Sequence, residues 1–356
     1  MITGNKGEWS ELYVLLRLLA DGKLYSADAD LQKLEHIYSP ILRIFRNEAE
    51  TGKMEYKIKH DKKQVVLYIN GDMIKSIPSD ILAKYAETCF KGIINGTDAS
   101  FHIDGSAQIM DDIKCKQIKA PSEDKTDIRM EISDRMTGYN TIVGYSIKSE
   151  LGHAPSLLNA SKATNFRFNL TGIDDDTADK INNIKTRATI HDRIAMIEEN
   201  GSMEFSGACN DTFKRNLMLI DSRMEEIISQ MVLEYFKYRN VTCADIAEAI
   251  ERKDPLQYRI SGFYRYKIKK FLCAVALGMV PSKEWDGKDE ANGGYIIVKE
   301  SGEVVAYHLY NRNAFETYLL NNTKLETAST KRHDFGTVAS EYSRKYFNLN
   351  LQVRFI

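Results

Sequence analysis

The 356-residue sequence predicts a mixed α/β fold, in which helices pack on a sheet that contains antiparallel pairs. Segments 54–60 and 64–70 alternate apolar and polar residues around a short polar link, which predicts a first hairpin. Segments 127–132 and 143–148 alternate in the same way and predict a second hairpin. Residues 8–20 instead repeat apolar side chains at helical spacing, which predicts an amphipathic first helix.

The rest of the chain continues to mix helical and strand patterns. No Pro/Gly/Ser-rich linker, repeat or low-complexity run marks a domain boundary. We therefore predict a core at 1–173, with the first helix and the hairpins, and a helical and C-terminal mixed region at 174–356, either as two packed units or as one large domain. In chain order, the further predicted elements are a helix over 79–95, a strand over 164–170, mainly helical structure over 174–283 (including 212–238 and 262–277), strands over 294–299 and 303–308, a helix near 315–320, and strands from about 323 and 349.

Composition excludes several classes of protein. A net charge of −1 and a pI near 6.7 argue against binding of nucleic acid through a strongly basic tail, although a local basic cleft is compatible with them. The five cysteines lack paired metal-ligand spacing, which predicts reduced thiols and no structural zinc. Without a signal-peptide pattern or an apolar run of membrane-spanning length, we expect a cytoplasmic protein with no membrane partner. The histidines show no HxH or HExxH spacing, and no GK[ST] phosphate loop is present.

The second hairpin places opposite charges together at its open end. The register that centres its turn near Gly138 buries both apolar faces and puts Ile128 opposite Ile147 and Asp127 opposite Lys148. A carboxylate beside an ammonium is what a metal-dependent phosphodiesterase needs, since one binds Mg²⁺ and the other orients water near a phosphate. The same pair is also compatible with an ordinary exposed cross-strand ion pair, worth at most about 1 kcal/mol.

Four blocks of sequence favour the first interpretation. Residues 125–128 and 144–149 resemble the core of the PD-(D/E)xK nucleases, in which an Asp opening one strand and a (D/E)-x-K closing the next form the metal site. Blocks at 4–13, 157–166 and 348–355 resemble the HpaII-type restriction endonucleases. The resemblance spans nearly the whole chain. It implies a PD-(D/E)xK restriction-endonuclease-like core with additional helical and C-terminal elements, and Mg²⁺-dependent hydrolysis of phosphodiester bonds in double-stranded DNA.

The resemblance implies roles for residues of the hairpin. Asp127 and Lys148 match the motif's aspartate and lysine, and the Ile147 carbonyl joins Asp127 as a metal ligand. Ser146 occupies the position of the motif's acid, so the resemblance places it among the catalytic residues. Because serine is neutral, the site has one negative charge fewer than the motif. A neutral hydroxyl is a poor Mg²⁺ ligand, which leaves the number of metal ions open.

A nearby acid could supply the missing charge. In PD-(D/E)xK folds a glutamate from the first helix often reaches the metal, and the resemblance gives that role to Glu11. Alternatively, Glu8 and Glu11 lie in the first turns only because the helix dipole favours anions there. Glu150 shares the strand face of Lys148, whereas Glu131 lies too far towards the turn to bind the same ion.

Recognition of bases requires side chains with fixed donor and acceptor geometry. Segments 158–165 and 326–333 carry such side chains, and each could instead be an ordinary polar loop. A third segment, 264–270, interleaves aromatic residues and cations, a pattern more typical of the solvated side of a helix. The residues we expect to contact DNA are Asn159, Ser161, Lys162, Thr164, Asn165, Lys331, Arg332 and His333.

Two functions from different classes follow. The first is a type II restriction endonuclease, for which the family's CCGG is the one specific candidate site. The second is a sequence-specific DNA-binding protein with an inactive nuclease fold, motivated by Ser146 and the near-neutral charge. Because a palindromic site is two-fold symmetric, we expect a monomer or weak dimer that pairs on DNA. A cognate DNA methyltransferase would be a genetic rather than a physical partner.

Overall fold

The structure is a computed structural model that describes residues 2–48, 50–119, 126–133, 138–152, 154–308, 312–342 and 344–356. Asp134 and His153, which the sequence places near the catalytic motif, lie outside these ranges. The predicted mixed α/β class is confirmed within them.

The helices are α1 (Lys6–Asp21), α2 (Ser79–Asn95), α3 (Ser106–Asp112), α4 (Asp175–Asn182), α5 (Thr189–Asn200), α6 (Asp211–Ile220), α7 (Met224–Tyr238), α8 (Cys243–Lys253), α9 (Phe263–Leu277), α10 (Arg312–Asn321) and α11 (Thr330–His333). The strands are β1 (Lys23–Ala27), β2 (Lys33–Glu48), β3 (Gly52–Lys59), β4 (Gln64–Ile69), β5 (Asp72–Pro78), β6 (Ile128–Ser133), β7 (Asn140–Ser149), β8 (Ser156–Leu158), β9 (Asn165–Thr171), β10 (Ser202–Ala208), β11 (Gly294–Val298), β12 (Val304–His308), β13 (Thr323–Leu325), β14 (Val338–Glu341), β15 (Arg344–Asn350) and β16 (Val353–Phe355).

The chain divides into two compact units, each built from two stretches of sequence. The first unit comprises Met1–Pro155 and Glu290–Phe315, and the second comprises Ser156–Asp289 and Glu316–Ile356. This division differs from the boundary expected after residue 173. Strands β8 and β9 pair with the C-terminal strands β16 and β15, whereas β11 and β12 pair with β7 and β1. Hydrophobic periodicity reports local structure and carries no signal for such distant pairings.

The first unit is built on a sheet that orders its described strands as β1-β12-β11-β7-β6-β2-β3-β4-β5. Both predicted hairpins are confirmed, since β3 pairs with β4 and β6 with β7 in antiparallel ladders. Strand β11 lies parallel to β7 on its other side. The β6–β7 hairpin is therefore an interior part of the sheet, with both of its strands held by further neighbours.

Helix α1 covers the core of this unit. The side chain of Asn5 accepts a hydrogen bond from the Glu8 N–H at its start, and Gly22 ends it in a left-handed conformation with φ of 64°. Trp9 and Leu12 on its apolar face are fully buried in the same cluster as Tyr145 of β7. Burial of each such side chain contributes roughly 1.5–3 kcal/mol, which fixes α1 against the hairpin.

The second unit contains one sheet ordered β10-β9-β15-β14, another ordered β13-β16-β8, and helices α4 to α9. The strand predicted over 164–170 is confirmed as β9. The helix predicted over 212–238 is interrupted, because α6 ends at Ile220 and α7 begins at Met224. Strand β10 was not predicted within the helical region, where its short alternation lies between two helices.

Two expectations from composition can also be compared with the structure. All five cysteines are free thiols, and four of them are buried. Among the described residues, no helix is both long and apolar enough to cross a membrane.

Candidate active site

The β6–β7 hairpin adopts a register two residues away from the predicted one. Ile128 lies opposite Tyr145 rather than Ile147. Both registers bury the same apolar faces, because a shift of two residues keeps every side chain on its own side of the sheet. Asp127 therefore does not lie directly opposite Lys148, and the predicted cross-strand pairing of these two residues is corrected.

The Asp127 carboxylate is held against β7. Its Oδ2 accepts hydrogen bonds from the Ser146 hydroxyl at 3.0 Å and from the Ile147 N–H at 2.6 Å. In an extended strand the N–H and C=O of one residue point towards the same neighbour, so the Ile147 carbonyl faces the side on which Asp127 lies. The Asp127 carboxylate and the Ile147 carbonyl oxygen thus lie on the same side of β7, and both are hard oxygen ligands for a metal ion.

Lys148 lies within electrostatic reach of two carboxylates. Its side chain is half-buried, with Nζ 5.6 Å from the centre of the Tyr295 ring. Burial lowers the pKa of the Lys148 ammonium, and the carboxylates of Asp127 and Glu11 act in the opposite direction. The fold therefore brings together three groups that the sequence had assigned to one site.

Two glutamates of α1 have different environments. The Glu8 carboxylate accepts a hydrogen bond from the Asn5 N–H at 3.0 Å and closes the N-terminal capping box. The Ser10 hydroxyl donates to Ser149 Oγ at 2.8 Å and ties α1 to the end of β7. Glu11, next to this tie, lines the same cleft as Asp127. The structure thus favours Glu11 over Glu8 as the acid that reaches the site.

A cleft of about 1470 Å³ lies beside Asp127 in the first unit. Several cations and amides that the sequence analysis did not single out also line it. Cations contact phosphates and amides can read base edges, so their presence suits a DNA strand. Arg129 could have been found from the alternation of β6, but the others reach the cleft only through sheet pairing. These residues are Asn47, Lys53, Arg129 and Asn292.

The oxygen donors fit a cation that retains water ligands. Among the described residues, no group of three or more His, Cys, Asp and Glu side chains converges as a metal site. Glu131 binds Arg43, and neither Glu131 nor Glu150 is among the described residues that line the cleft. The site thus offers Asp127, Glu11 and a backbone carbonyl. Mg²⁺ commonly binds proteins through one or two carboxylates and keeps several waters, so this donor set is suitable for it.

The residues predicted to contact DNA lie in the second unit, and two of them are buried. Thr164 is fully buried, and Asn165 is 3% exposed. The Asn165 Nδ2 donates to the His333 carbonyl at 2.7 Å, and its Oδ1 accepts from Asn350 at 2.7 Å. Because Thr164 and Asn165 are buried, their side chains are not accessible for direct contact with DNA in this conformation. Their hydrogen bonds instead join segment 158–165 to α11 and β15.

The other predicted contacts remain accessible on these joined segments. Ser161 accepts a hydrogen bond from the Ala163 N–H and so shapes the turn that carries Lys162. Lys162 forms an ion pair with Asp334 directly after α11. The two segments predicted separately are therefore adjacent parts of one polar surface. Its exposed members are Asn159, Lys162, Lys331 and Arg332, and its partly buried members are Ser161 and His333.

The third basic segment, 264–270, has partners within its own unit. Lys267 forms an ion pair with Asp221, and Lys270 forms one with Glu316 at 2.6 Å. Tyr264 is buried. These contacts favour the interpretation of this segment as an ordinary face of α9.

Comparison with known proteins decides the family. The model of the HpaII restriction endonuclease family matches residues 5–355. The chain belongs to the HpaII restriction endonuclease family. It is 38% identical over 359 residues to the type II restriction enzyme HpaII of Haemophilus parainfluenzae, and the match covers 99% of both chains. No solved structure matches it.

Membership of this family identifies the protein as a type II restriction endonuclease, an enzyme of sequence-specific DNA cleavage. Restriction endonucleases generally use divalent metal ions. The comparison therefore supports the enzyme over the alternative of a DNA-binding protein with an inactive nuclease fold.

Gly144 provides a test of how closely the site is packed. A Cβ at this position would lie 2.6 Å from Cγ2 of Thr126, the residue before Asp127. We expect Gly144→Ala to displace Asp127 and lower the single-turnover cleavage rate by roughly 10- to 100-fold. The added methyl should lower the free energy of unfolding by only about 1–3 kcal/mol. Adding Thr126→Ala should restore much of the rate, and a wild-type rate in the single variant would contradict the packing argument.

Proposed function

We propose that the end of the β6–β7 hairpin is the Mg²⁺-dependent active site of this endonuclease, within a core of the PD-(D/E)xK type. One observation carries the proposal: the Asp127 carboxylate is fixed against Ser146 and Ile147, within electrostatic reach of Lys148. An exposed structural ion pair would not need hydrogen bonds that immobilise the carboxylate. Nor would it need a second acid brought from α1.

Each residue of the site has a separate role in the proposed reaction. Asp127, the Ile147 carbonyl and Glu11 would hold one Mg²⁺. When bound, the ion would supply Lewis-acid stabilisation of the phosphate and would favour ionisation of water at the site. The Lys148 ammonium would orient the attacking water and stabilise the charge that develops on the phosphate.

Ser146 supports the site through Asp127. Its hydroxyl donates to Oδ2 of Asp127, so it limits the rotation of the carboxylate. Because Ser146 is neutral, Asp127 and Glu11 are the two negative charges we assign to the metal. Two carboxylates suit a single hydrated Mg²⁺, and we therefore propose one metal ion per active site.

Glu11→Gln is expected to raise the Mg²⁺ concentration needed for half-maximal cleavage by roughly 10- to 100-fold. The amide keeps the shape of the side chain but removes one of the two negative charges. The measurement is a Mg²⁺ titration of the single-turnover rate. The matched control is Glu8→Gln, which weakens the capping box and should leave the Mg²⁺ dependence alone. If the Mg²⁺ dependence of Glu11→Gln were unchanged, Glu11 would not be a metal ligand and would act only as a charge at the end of the helix.

We propose that the polar surface of segments 158–165 and 326–333 contacts DNA. Asn159, Lys162, Lys331 and Arg332 are exposed there, and Ser161 and His333 are partly buried. Thr164 and Asn165 position this surface from beneath it.

For the recognition sequence we propose CCGG, on the basis of the family resemblance. Digestion of unmodified plasmid DNA and sequencing of the fragment ends tests this directly. A plasmid without CCGG should remain uncut, and prior treatment with a CCGG-specific methyltransferase should protect a plasmid that contains it. Fragment ends at another sequence would refute the assignment. We also propose that the genetic partner of the enzyme is a cognate methyltransferase, which would protect host DNA in the cytoplasm.

We propose that the protein is a monomer or weak dimer in free solution and forms a symmetric pair on DNA. One active site cuts one strand, and a two-fold symmetric pair places one site on each strand of a palindrome. Light scattering with and without a cognate duplex measures this. A tight dimer at nanomolar concentration without DNA would contradict it.

A further inference from the structure

A second pocket, of about 640 Å³, lies in the second unit, far along the sequence from the catalytic hairpin. Its walls are the loop over 184–189, the first turns of α5, the end of α7, and residues Thr327 and Thr330. None of the motifs discussed above requires a cavity at this place.

The lining of this pocket is basic. Lys185, Arg187 and Arg239 line it and are exposed, and His191 and Arg193 add two further nitrogen-bearing side chains. Among the described residues, no aspartate or glutamate lines the pocket. This composition differs from that of the catalytic cleft, where carboxylates and cations are mixed.

One of these cations is buried without a carboxylate partner. Arg193 is 8% exposed, and its guanidinium donates to the carbonyls of Gly336 at 2.5 Å and Asn182 at 2.6 Å. Its Nε has no hydrogen-bond partner within the part of the chain that the structure describes. Burial lowers the pKa of Arg193. A buried charge held only by neutral carbonyls is costly unless an anion approaches it. The pocket therefore has a fixed positive charge and no carboxylate among the described residues that line it, and Asp192 accepts a hydrogen bond from Thr186 behind the lining.

Neutral donors complete the lining. Thr186, Thr189, Thr327 and Thr330 contribute hydroxyls, of which Thr186 donates to the Asp192 carboxylate and Thr189 to the Thr186 carbonyl. Thr327 shares a hydrogen bond of 3.0 Å with the Tyr235 hydroxyl. Arginine, lysine and hydroxyl side chains are the groups with which proteins contact the phosphates of DNA. Thr330 also begins α11, so the pocket is continuous with the surface that carries Lys331 and Arg332.

We propose that this pocket binds a backbone phosphate of the DNA substrate other than the phosphate that is hydrolysed. The inference rests on the function of the protein as a DNA endonuclease. The contact would strengthen binding and fix the position of the duplex, and it would take no part in hydrolysis.

The test compares two double variants with the same change in net charge. Lys185→Ala with Arg187→Ala removes two exposed cations of the pocket. Lys180→Ala with Arg252→Ala removes two exposed cations of the same unit that do not line it. Binding of a fluorescent cognate duplex is measured by anisotropy in Ca²⁺ at several KCl concentrations. Single-turnover cleavage at saturating enzyme is measured in Mg²⁺.

For the pocket variant we expect a roughly tenfold weaker affinity at moderate salt. The slope of log affinity against log salt should decrease in magnitude by about 0.9, because the variant loses one phosphate contact. The cleavage rate at saturation should match that of the wild type, which separates this result from any failure of the catalytic assignment. The control variant should retain the wild-type slope.

Equal affinity and slope in the pocket variant and the wild type would overturn the proposal. A second measurement, with inorganic phosphate, tests whether the pocket binds free phosphate instead of a phosphate of DNA. If phosphate raises the melting temperature of the wild type but not of the pocket variant, while duplex binding is equal in both, the pocket takes free anions. That outcome would also overturn the assignment to DNA.

Discussion

Asp127→Ala is expected to abolish cleavage while specific DNA binding remains largely intact. The carboxylate is held in place by two hydrogen bonds from β7. In the proposed site its removal would deprive Mg²⁺ of a ligand that supports several kcal/mol of transition-state stabilisation. The rate should therefore fall by at least roughly 10³-fold. Single-turnover cleavage in Mg²⁺, with duplex binding in Ca²⁺, measures both parts of the prediction.

The matched control is Asp134→Ala, which removes another acid of the same motif. The sequence places Asp134 in the turn of the hairpin, at the far end from Lys148, although it lies outside the described residues. Asp134→Ala should retain activity. An inactive Asp134 variant beside an active Asp127 variant would mean that the wrong aspartate has been assigned.

Lys148→Ala is expected to reduce the cleavage rate by roughly 10²- to 10³-fold, since it removes the cation that we propose faces the developing phosphate charge. The variant should remain folded. Burial opposes the charge of Lys148, as the direction of its pKa shift indicates, so loss of the ammonium is not a large loss of stability. Thermal unfolding and single-turnover cleavage separate the two effects. Lys84→Ala, on the exposed side of α2, is the control, and wild-type cleavage by Lys148→Ala would reject its catalytic role.

Alternation in the sequence predicted which side chains of the hairpin share a face, but it could not select the register. Registers that differ by two residues bury the same apolar set, so the pairing of Ile128 with Tyr145 had no signature in the pattern. The proposed catalytic assignment does not depend on the register, because Asp127 still lies at the open end of the hairpin. There it accepts hydrogen bonds from Ser146 and from Ile147, the residue before Lys148.

Long-range contacts account for most of what the sequence did not predict. The sequence around Asn292 gives no indication of its contacts. In the structure its Oδ1 accepts a hydrogen bond of 2.8 Å from the Gly144 N–H, because β11 pairs with β7. Polarity suggested that Asn165 contacts DNA. Its amide is instead satisfied inside the protein by Asn350 and the His333 carbonyl, far away in sequence. A single sequence shows that a residue is polar but does not show which partner satisfies it.

The most direct test of the central claim is digestion of unmodified plasmid by the wild type and by Asp127→Ala, each in Mg²⁺ and in EDTA. We predict discrete bands from the wild type in Mg²⁺ and uncut plasmid in the other three reactions. Uncut plasmid in all four would favour a DNA-binding protein with an inactive nuclease fold. Discrete bands from Asp127→Ala would contradict the assignment of the active site to this hairpin.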